Sequence, residues 1–241
     1  MSAEVHCNST GNLASRNLET MFHAGVQSDK AAQVMIQTPN GETVVLPSFG
    51  DVFGRERRFH GSIQGPPQAG GTYIFTALDA DGTPIPGAVA SDVYIGGYEP
   101  DPPANVQAQV VEAGLLVTWD PSPAIPGGFD PGGSPPLGSY LIHLYREEGG
   151  GQEGSTYGWT QAGKPLLETS HLIPFRRQDL GPGDRGLALE EMDDGVYYLN
   201  LVAFSVEPGT VAEDNKECMA HDPAENIRII IEGGQVRIEG P

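Results

Sequence analysis

The chain has 241 residues, and its 13 Lys and Arg against 32 Asp and Glu give a formal net charge of -19 at pH 7. A charge of this sign repels phosphate backbones and anionic lipid headgroups, which disfavours nucleic acid as a partner. The length suits two domains of ordinary size. The 33 Gly and 21 Pro lie between alternating apolar runs and indicate many turns rather than disorder. No apolar run approaches the length of a membrane span.

Residues 1–30 are predicted to be an N-terminal arm or an irregular segment. A short helical face over residues 13–22 is the alternative, but Gly11 and Gly25 bound it closely. The first residues contain no basic start followed by an apolar core. We therefore expect that an export signal was removed or that the protein is made in a cytoplasm without one.

Residues 31–96 are predicted to form a first β-sandwich. Apolar and polar residues alternate from Val34, and Asn40-Gly41 is a strong signal for a two-residue hairpin turn. The run Gly71-x-Tyr73-x-Phe75-x-Ala77 places its aromatic residues on one face of a strand. This pattern resembles an immunoglobulin-like sandwich, with Tyr73 as a structural residue.

The Pro-rich segment 97–103 is predicted to be a stiff linker between two domains. Beyond it, residues 104–241 are predicted to form a second sandwich that carries an insertion at 147–185. The clearest strand is 195–205, which alternates on both faces and is predicted to be central. The predicted fold class is therefore all-β, with two tandem β-sandwich domains.

Four motifs over about residues 103–232 resemble a fibronectin type III domain. They are Pro102-Pro103, Leu115-x-Val117-x-Trp119-Asp-Pro, Gly138-x-Tyr140-x-Ile142-x-Leu144 and Gly195-x-Tyr197-x-Leu199-x-Leu201-x-Ala203. The resemblance implies that Trp119 packs between the sheets, that Tyr140 is structural, and that the Tyr197 hydroxyl binds the chain upstream as a tyrosine corner. No Arg-Gly-Asp occurs in the sequence, so integrin-type adhesion is not implied.

Thiol and imidazole side chains near both ends of the chain offer a candidate zinc site. The ligands would be His6, Cys7, Cys218 and His221, because Cys218-x-x-His221 has chelate spacing. Adjacent His6-Cys7 is poor chelating geometry, so a Cys7–Cys218 disulfide or two free thiols is the favoured interpretation. We expect no metal site and no cofactor.

The sequence contains no Gly-x-Ser-x-Gly, no His-Glu-x-x-His and no phosphate-binding Gly loop. We therefore expect no catalytic residues. Tyr157 and Trp159 alternate on a short predicted strand, and an exposed pair of this kind can stack on sugar rings. They are the candidate ligand contacts.

The predicted function is that of a non-enzymatic structural or adhesion protein in an extracellular assembly, and a phage-type virion component, in tail or head, is favoured. A secreted bacterial adhesin or a carbohydrate-binding accessory module is the alternative, and a hydrolase with residues 147–185 as a lid comes third. The expected partners are other protein subunits or a surface glycan, with homo-oligomers possible through free sheet edges. The expected location is a virion or cell surface.

Overall fold

The computed structural model describes residues 1–11, 14–53, 56–96, 100–120, 122, 138–147, 169–180, 188–206 and 216–239. These residues form strands and short 3₁₀ turns, and none of them lies in an α-helix. The predicted all-β class is confirmed. Two compact units divide the chain: unit 1 comprises Met1–Ser9, Asn17–Glu99 and Val206–Met219, and unit 2 comprises Thr10–Arg16, Pro100–Ser205 and Ala220–Pro241.

Unit 1 is built from seven consecutive strands. They are β1 (Ser2–Thr10), β2 (Asn17–Val26), β3 (Gln33–Gln37), β4 (Thr43–Phe53), β5 (Glu56–Gln64), β6 (Gly71–Leu78) and β7 (Pro84–Tyr94). One layer has the order β1-β2-β5-β4 and the other the order β4-β3-β6-β7, and β4 changes partner at a register shift between Ser48 and Val52. This is the strand arrangement of an immunoglobulin-like sandwich, in which β4 supplies a strand to each layer.

Alternating side chains of both layers form the core of unit 1. The largest contributions come from Phe22 of β2, Phe59 of β5 and Tyr73 and Phe75 of β6, all of which are buried. The Phe22 ring packs at a tilt on Tyr73 and edge-on against Phe75. Burial of each such aromatic side chain contributes about 1.5–3 kcal/mol, so these rings account for much of the attraction between the layers.

Residues 1–30 are not an arm or an irregular segment, because β1 and β2 are integral strands of the unit 1 sandwich. In β2 the inward positions are Thr20, Phe22, Ala24 and Val26. The strand period was hidden because the inward row includes a polar threonine and a small alanine. The alternative helical face paired Met21 with Phe22, but those two side chains lie on opposite faces of the sheet.

Unit 2 contains two sheets. Its strands are β8 (Ala104–Val111), β9 (Gly114–Asp120), β10 (Gly138–Arg146), β11 (Ser170–Pro174), β12 (Gly195–Val206), β13 (Lys216–His221), β14 (Ile227–Glu232) and β15 (Gln235–Glu239). The first sheet has the order β8-β9-β11, and β10 and β14 flank β12 in the second, followed by β15. This division into three strands facing a β10-β12-β14 sheet matches a fibronectin type III-like sandwich. The expected central position of residues 195–205 is confirmed.

The segment 147–185 is not simply an insertion outside the sandwich. Its residues Ser170–Pro174 form β11, which pairs with β9 over five residues. Ile173 of β11 is buried in the core beside Leu115 and Val117. The short apolar content of this strand, between polar and Pro-containing neighbours, gave no clear period of two in the sequence.

Candidate functional site

The outward face of the β4-β3-β6-β7 layer in unit 1 carries no charged residue. Three outward positions on each of four strands make up this surface, which we call the uncharged face. Its residues are Thr43, Val45, Pro47, Gln33, Met35, Gln37, Thr72, Ile74, Thr76, Val89, Ser91 and Val93. Because 45 of the 241 residues are charged, as 13 plus 32, this face differs sharply from the average composition of the chain.

An apolar row crosses the uncharged face from one side to the other. Val45 is the cross-strand partner of Met35, Met35 of Thr76, and Thr76 of Val89. Val89 is 55% exposed and Val45 49% exposed. Beside this row, Val93 is 43% exposed and Ile74 40% exposed, so the side chains form one contiguous surface rather than scattered apolar residues. Contiguous apolar surface of this kind marks interaction sites on soluble proteins.

Acidic residues lie in the turns at both ends of the uncharged face. Glu42 belongs to the β3–β4 turn, and Asp79 and Asp81 belong to the β6–β7 turn. The Asp79 carboxylate accepts hydrogen bonds from the backbone N–H groups of Asp81, at 3.0 Å, and Thr83, at 2.8 Å. Asp79 therefore shapes the hairpin, as expected for an Asp-Gly turn. The result is an uncharged centre with charged ends, which is the distribution seen in protein interfaces.

The outward face of the other unit 1 layer has a different chemistry. The rings of His6 and His23 stack with centroids 5.1 Å apart, and His23 and His60 lie 5.9 Å apart, so three imidazoles cross β1, β2 and β5. Glu4 Oε1 lies 3.0 Å from His6 Nδ1, and Arg58 lies two residues before His60. We call this surface the histidine face. It provides a charged comparison surface within the same unit.

The structure does not assemble the candidate zinc ligands. His6 and Cys7 are consecutive residues of β1, and they point to opposite faces, with Cys7 in the unit 1 core. Cys218 belongs to the same core, and both cysteines are buried free thiols. Across the described ranges, no three His, Cys, Asp or Glu side chains have the placement of a metal site. The stacked planes of His6 and His23, inclined by 11°, also prevent both in-plane lone pairs from meeting at one ion.

Unit 2 has an open cleft of about 450 Å³. It is lined by the β8–β9 turn, the segment after β11 and the β14–β15 turn. The lining residues are Glu112, Ala113, Phe175, Arg176, Gln178, Asp179 and Gly234. One aromatic ring among charged and amide groups can bind a polar ligand such as a sugar.

Carboxylates at 190–194 are engaged in holding the backbone of unit 2. Glu190 accepts the Arg177 backbone N–H at 2.8 Å, and Asp194 accepts the Gly233 backbone N–H at 2.9 Å. Glu191 accepts the N–H of Ala188 at 2.9 Å and lies 2.8 Å from an Arg177 guanidinium nitrogen. The Ala188 hydrogen bond, followed by the nearby Arg177, lowers the pKa of Glu191. These groups serve structure rather than acid–base chemistry.

The four predicted structural residues occupy sites that define the two sandwiches. Trp119 is buried in the unit 2 core and packs edge-on against Tyr140, with ring centroids 5.2 Å apart. The Tyr197 hydroxyl donates to the Asp193 carbonyl oxygen at 2.8 Å, which is a tyrosine corner. Unit 2 is a fibronectin type III-like sandwich. Tyr73 makes the corresponding contact in the immunoglobulin-like unit 1, where its hydroxyl oxygen accepts the backbone N–H of residue 68 at 2.8 Å.

Two solved structures show limited similarity to the chain. The mouse nectin-like molecule 4 ectodomain, Ig1–Ig3, aligns with 92% of this chain at 15% identity and a TM-score of 0.24, and the chain spans 64% of that ectodomain. The FN1–FN3 domains of chicken CNTN1 align with the whole chain at 12% identity and a TM-score of 0.27, over 74% of that structure. No protein-family profile matches the chain. No curated protein matches it either.

Tyr157 and Trp159, the predicted ligand contacts, lie outside the described residues. Where the structure does describe the chain, it contains no helix with the length and hydrophobicity needed to cross a membrane. The uncharged face was not predicted, although a signal was present: the residues between the inward positions of β3, β4, β6 and β7 lack charge. The register was needed to place those residues beside one another.

Proposed function

We propose that this protein is a non-enzymatic structural and adhesion module that works in an extracellular assembly. The observation that carries the proposal is the uncharged face, because interface centres lose charged residues and a freely solvated sheet face normally carries them. Two sandwiches stabilised by buried aromatic residues provide a rigid support for such a contact surface. The expected partners are protein subunits.

We propose more specifically that the assembly is a phage-type virion, with the protein as a tail or head accessory component. Support for this finer assignment is analogy, since immunoglobulin-like and fibronectin-like modules recur in such particles. The genes beside this one provide a direct test. Capsid and tail genes would support a virion component, whereas genes for cell-surface export would favour the secreted adhesin.

Site-specific photo-crosslinking tests the contact surface. A benzophenone amino acid at Val89, on the uncharged face, is expected to form covalent adducts with protein subunits in the native source. The same group at Ser62, an exposed outward residue of β5, is the matched control. Equal adducts from both positions, or none from Val89, would contradict the proposal.

A carbohydrate-binding accessory module is the second candidate, because Phe175, Arg176 and Gln178 line the unit 2 cleft. Glycan-array binding that is lost in Arg176→Ala and kept in Val89→Glu would favour this function. A hydrolase with residues 147–185 as its lid has less support, since β11 lies within that segment and is part of a sheet. Turnover of ester or glycoside substrates by the purified chain would revive it.

A further inference from the structure

The partner of the uncharged face can be argued from the charge of the chain. With a net charge of -19, the chain attracts basic partners, and such partners would gain most at its acidic surfaces. The uncharged face offers them no electrostatic attraction. Two copies of the chain, in contrast, repel each other everywhere except where acidic residues stay away from the contact, and the uncharged face meets that condition.

We propose that the uncharged face binds the same face of a second copy across a twofold axis. This inference rests on the proposed function, in which the module acts through protein contacts. A twofold contact requires a surface that complements itself, and a pleated sheet face meets this need because its side chains can interdigitate with those of a like face. Face-to-face sheets pack about 10 Å apart with strands inclined by about 30°. Val45, Met35 and Val89 would then lie in the dry centre.

Pairing through the free edge of β7 is a different route to a dimer, and the sequence of that strand opposes it. Pro84 and Pro86 lack the N–H groups that a new ladder would need. Asp92 points inward, where its carboxylate accepts the backbone N–H of Val5 at 2.6 Å. Prolines and inward-pointing charges are the devices that protect sheet edges from further pairing. The face of the sheet is therefore the available contact.

The size of the uncharged face sets the expected affinity. Three positions on each of four strands give twelve residues, whereas a stable interface has roughly 20–30 residues on each side. The twofold contact should therefore be weak and reversible, with a dissociation constant on the order of 10–100 µM. Added salt should strengthen it, because salt screens the repulsion between two acidic copies. An electrostatically driven contact would respond in the opposite direction.

Sedimentation equilibrium of the full chain tests the inference, over a range from about 1 µM to about 1 mM and at about 0.05 M and 0.5 M salt. We expect a monomer–dimer equilibrium that tightens at the higher salt concentration. Val89→Glu and Val45→Glu should each weaken the dimer at least about tenfold, since each places a carboxylate in the dry centre. Ser62→Glu makes the same charge change on the histidine face and should leave the dimer unchanged. Circular dichroism spectra and melting temperatures confirm that each variant is folded.

A wild-type chain that stays monomeric over the whole range at both salt concentrations would overturn the inference. So would an equal loss of dimer in Ser62→Glu, or a dimer that persists in both valine variants. If the chain is monomeric and the photo-crosslinker at Val89 captures a different subunit, the inference fails and the proposed function stands. If the chain dimerises through this face but position 89 captures no other subunit in the native source, the inference stands and the assembly role fails.

Discussion

The hydroxyl of Tyr197 donates a 2.8 Å hydrogen bond to the carbonyl oxygen of Asp193, four residues earlier in the chain. Burial is the main cause that raises the pKa of Tyr197, so the hydroxyl keeps its proton and remains a donor. Arg146 holds the same turn from β10, where a guanidinium nitrogen donates to the Asp194 carbonyl oxygen at 2.8 Å. The entry into the central strand of unit 2 is thus fixed by one neutral and one charged donor.

Tyr197→Phe should destabilise unit 2 by about 1 kcal/mol, because it removes one hydrogen bond and leaves a backbone carbonyl without that donor. Urea denaturation followed by the fluorescence of Trp119, which lies in the same core, measures the loss. Tyr198→Phe is the matched control, since the Tyr198 hydroxyl donates to exposed Glu147. Its cost should stay within about 0.5 kcal/mol. Equal losses would show that the tyrosine corner contributes no special stability.

The parts of the fold that were predictable from sequence are those with strict alternation. The residues from Gly195 to Ser205 have apolar side chains on both faces, as a central strand requires, and the Tyr197 contact followed from the resemblance. Strand β11 was missed because a five-residue strand ending in Pro174 has too few positions to show a period. The uncharged face required the register as well, since Val45 and Val89 are 44 residues apart, as 89 minus 45.

Gly114→Ala should destabilise unit 2 by about 2–3 kcal/mol, because overpacking of a close backbone contact has costs of this size. A Cβ at this position would lie 2.1 Å from the Ile173 carbonyl oxygen, so β9 and β11 would have to separate. Gly234→Ala is the control: its φ of +76° causes strain, but an added Cβ meets no atom within 4 Å. That strain costs about 1–2 kcal/mol. A smaller loss for Gly114→Ala than for Gly234→Ala would contradict the predicted clash.

The stability of unit 2 should fall with decreasing pH because of His221. Burial lowers the pKa of His221, and Asp222 opposes that effect to a smaller extent. As the pH falls below the ordinary histidine value of about 6.5, the unfolded chain takes up a proton before the folded chain does. The stability from neutral His221 is therefore complete above about pH 6.5 and is lost as the pH falls through the lowered folded value.

His221→Gln should flatten the dependence of the unfolding free energy on pH between about 7.5 and 5. Asp222→Asn should steepen it, because it removes the carboxylate that raises the His221 pKa while an amide oxygen can still accept the Ala224 N–H. Urea titrations at a series of pH values give both slopes. An unchanged slope in His221→Gln would assign the pH dependence to other groups.

Asp92→Ala should destabilise unit 1 and also increase association through the β7 edge. The Asp92 carboxylate accepts the backbone N–H of Val5 at 2.6 Å and that of Val93 at 2.9 Å, so its removal should cost about 1.5–3 kcal/mol. Loss of the inward-pointing charge also removes one protection of the edge against further pairing. Asp81→Ala, in the exposed β6–β7 turn, is the control with the same change in net charge. Chemical denaturation reports the first effect and light scattering the second. If Asp92→Ala unfolds at a lower urea concentration without added scattering, the prolines of β7 alone protect the edge, whereas scattering that appears equally in Asp81→Ala would reflect the lost charge.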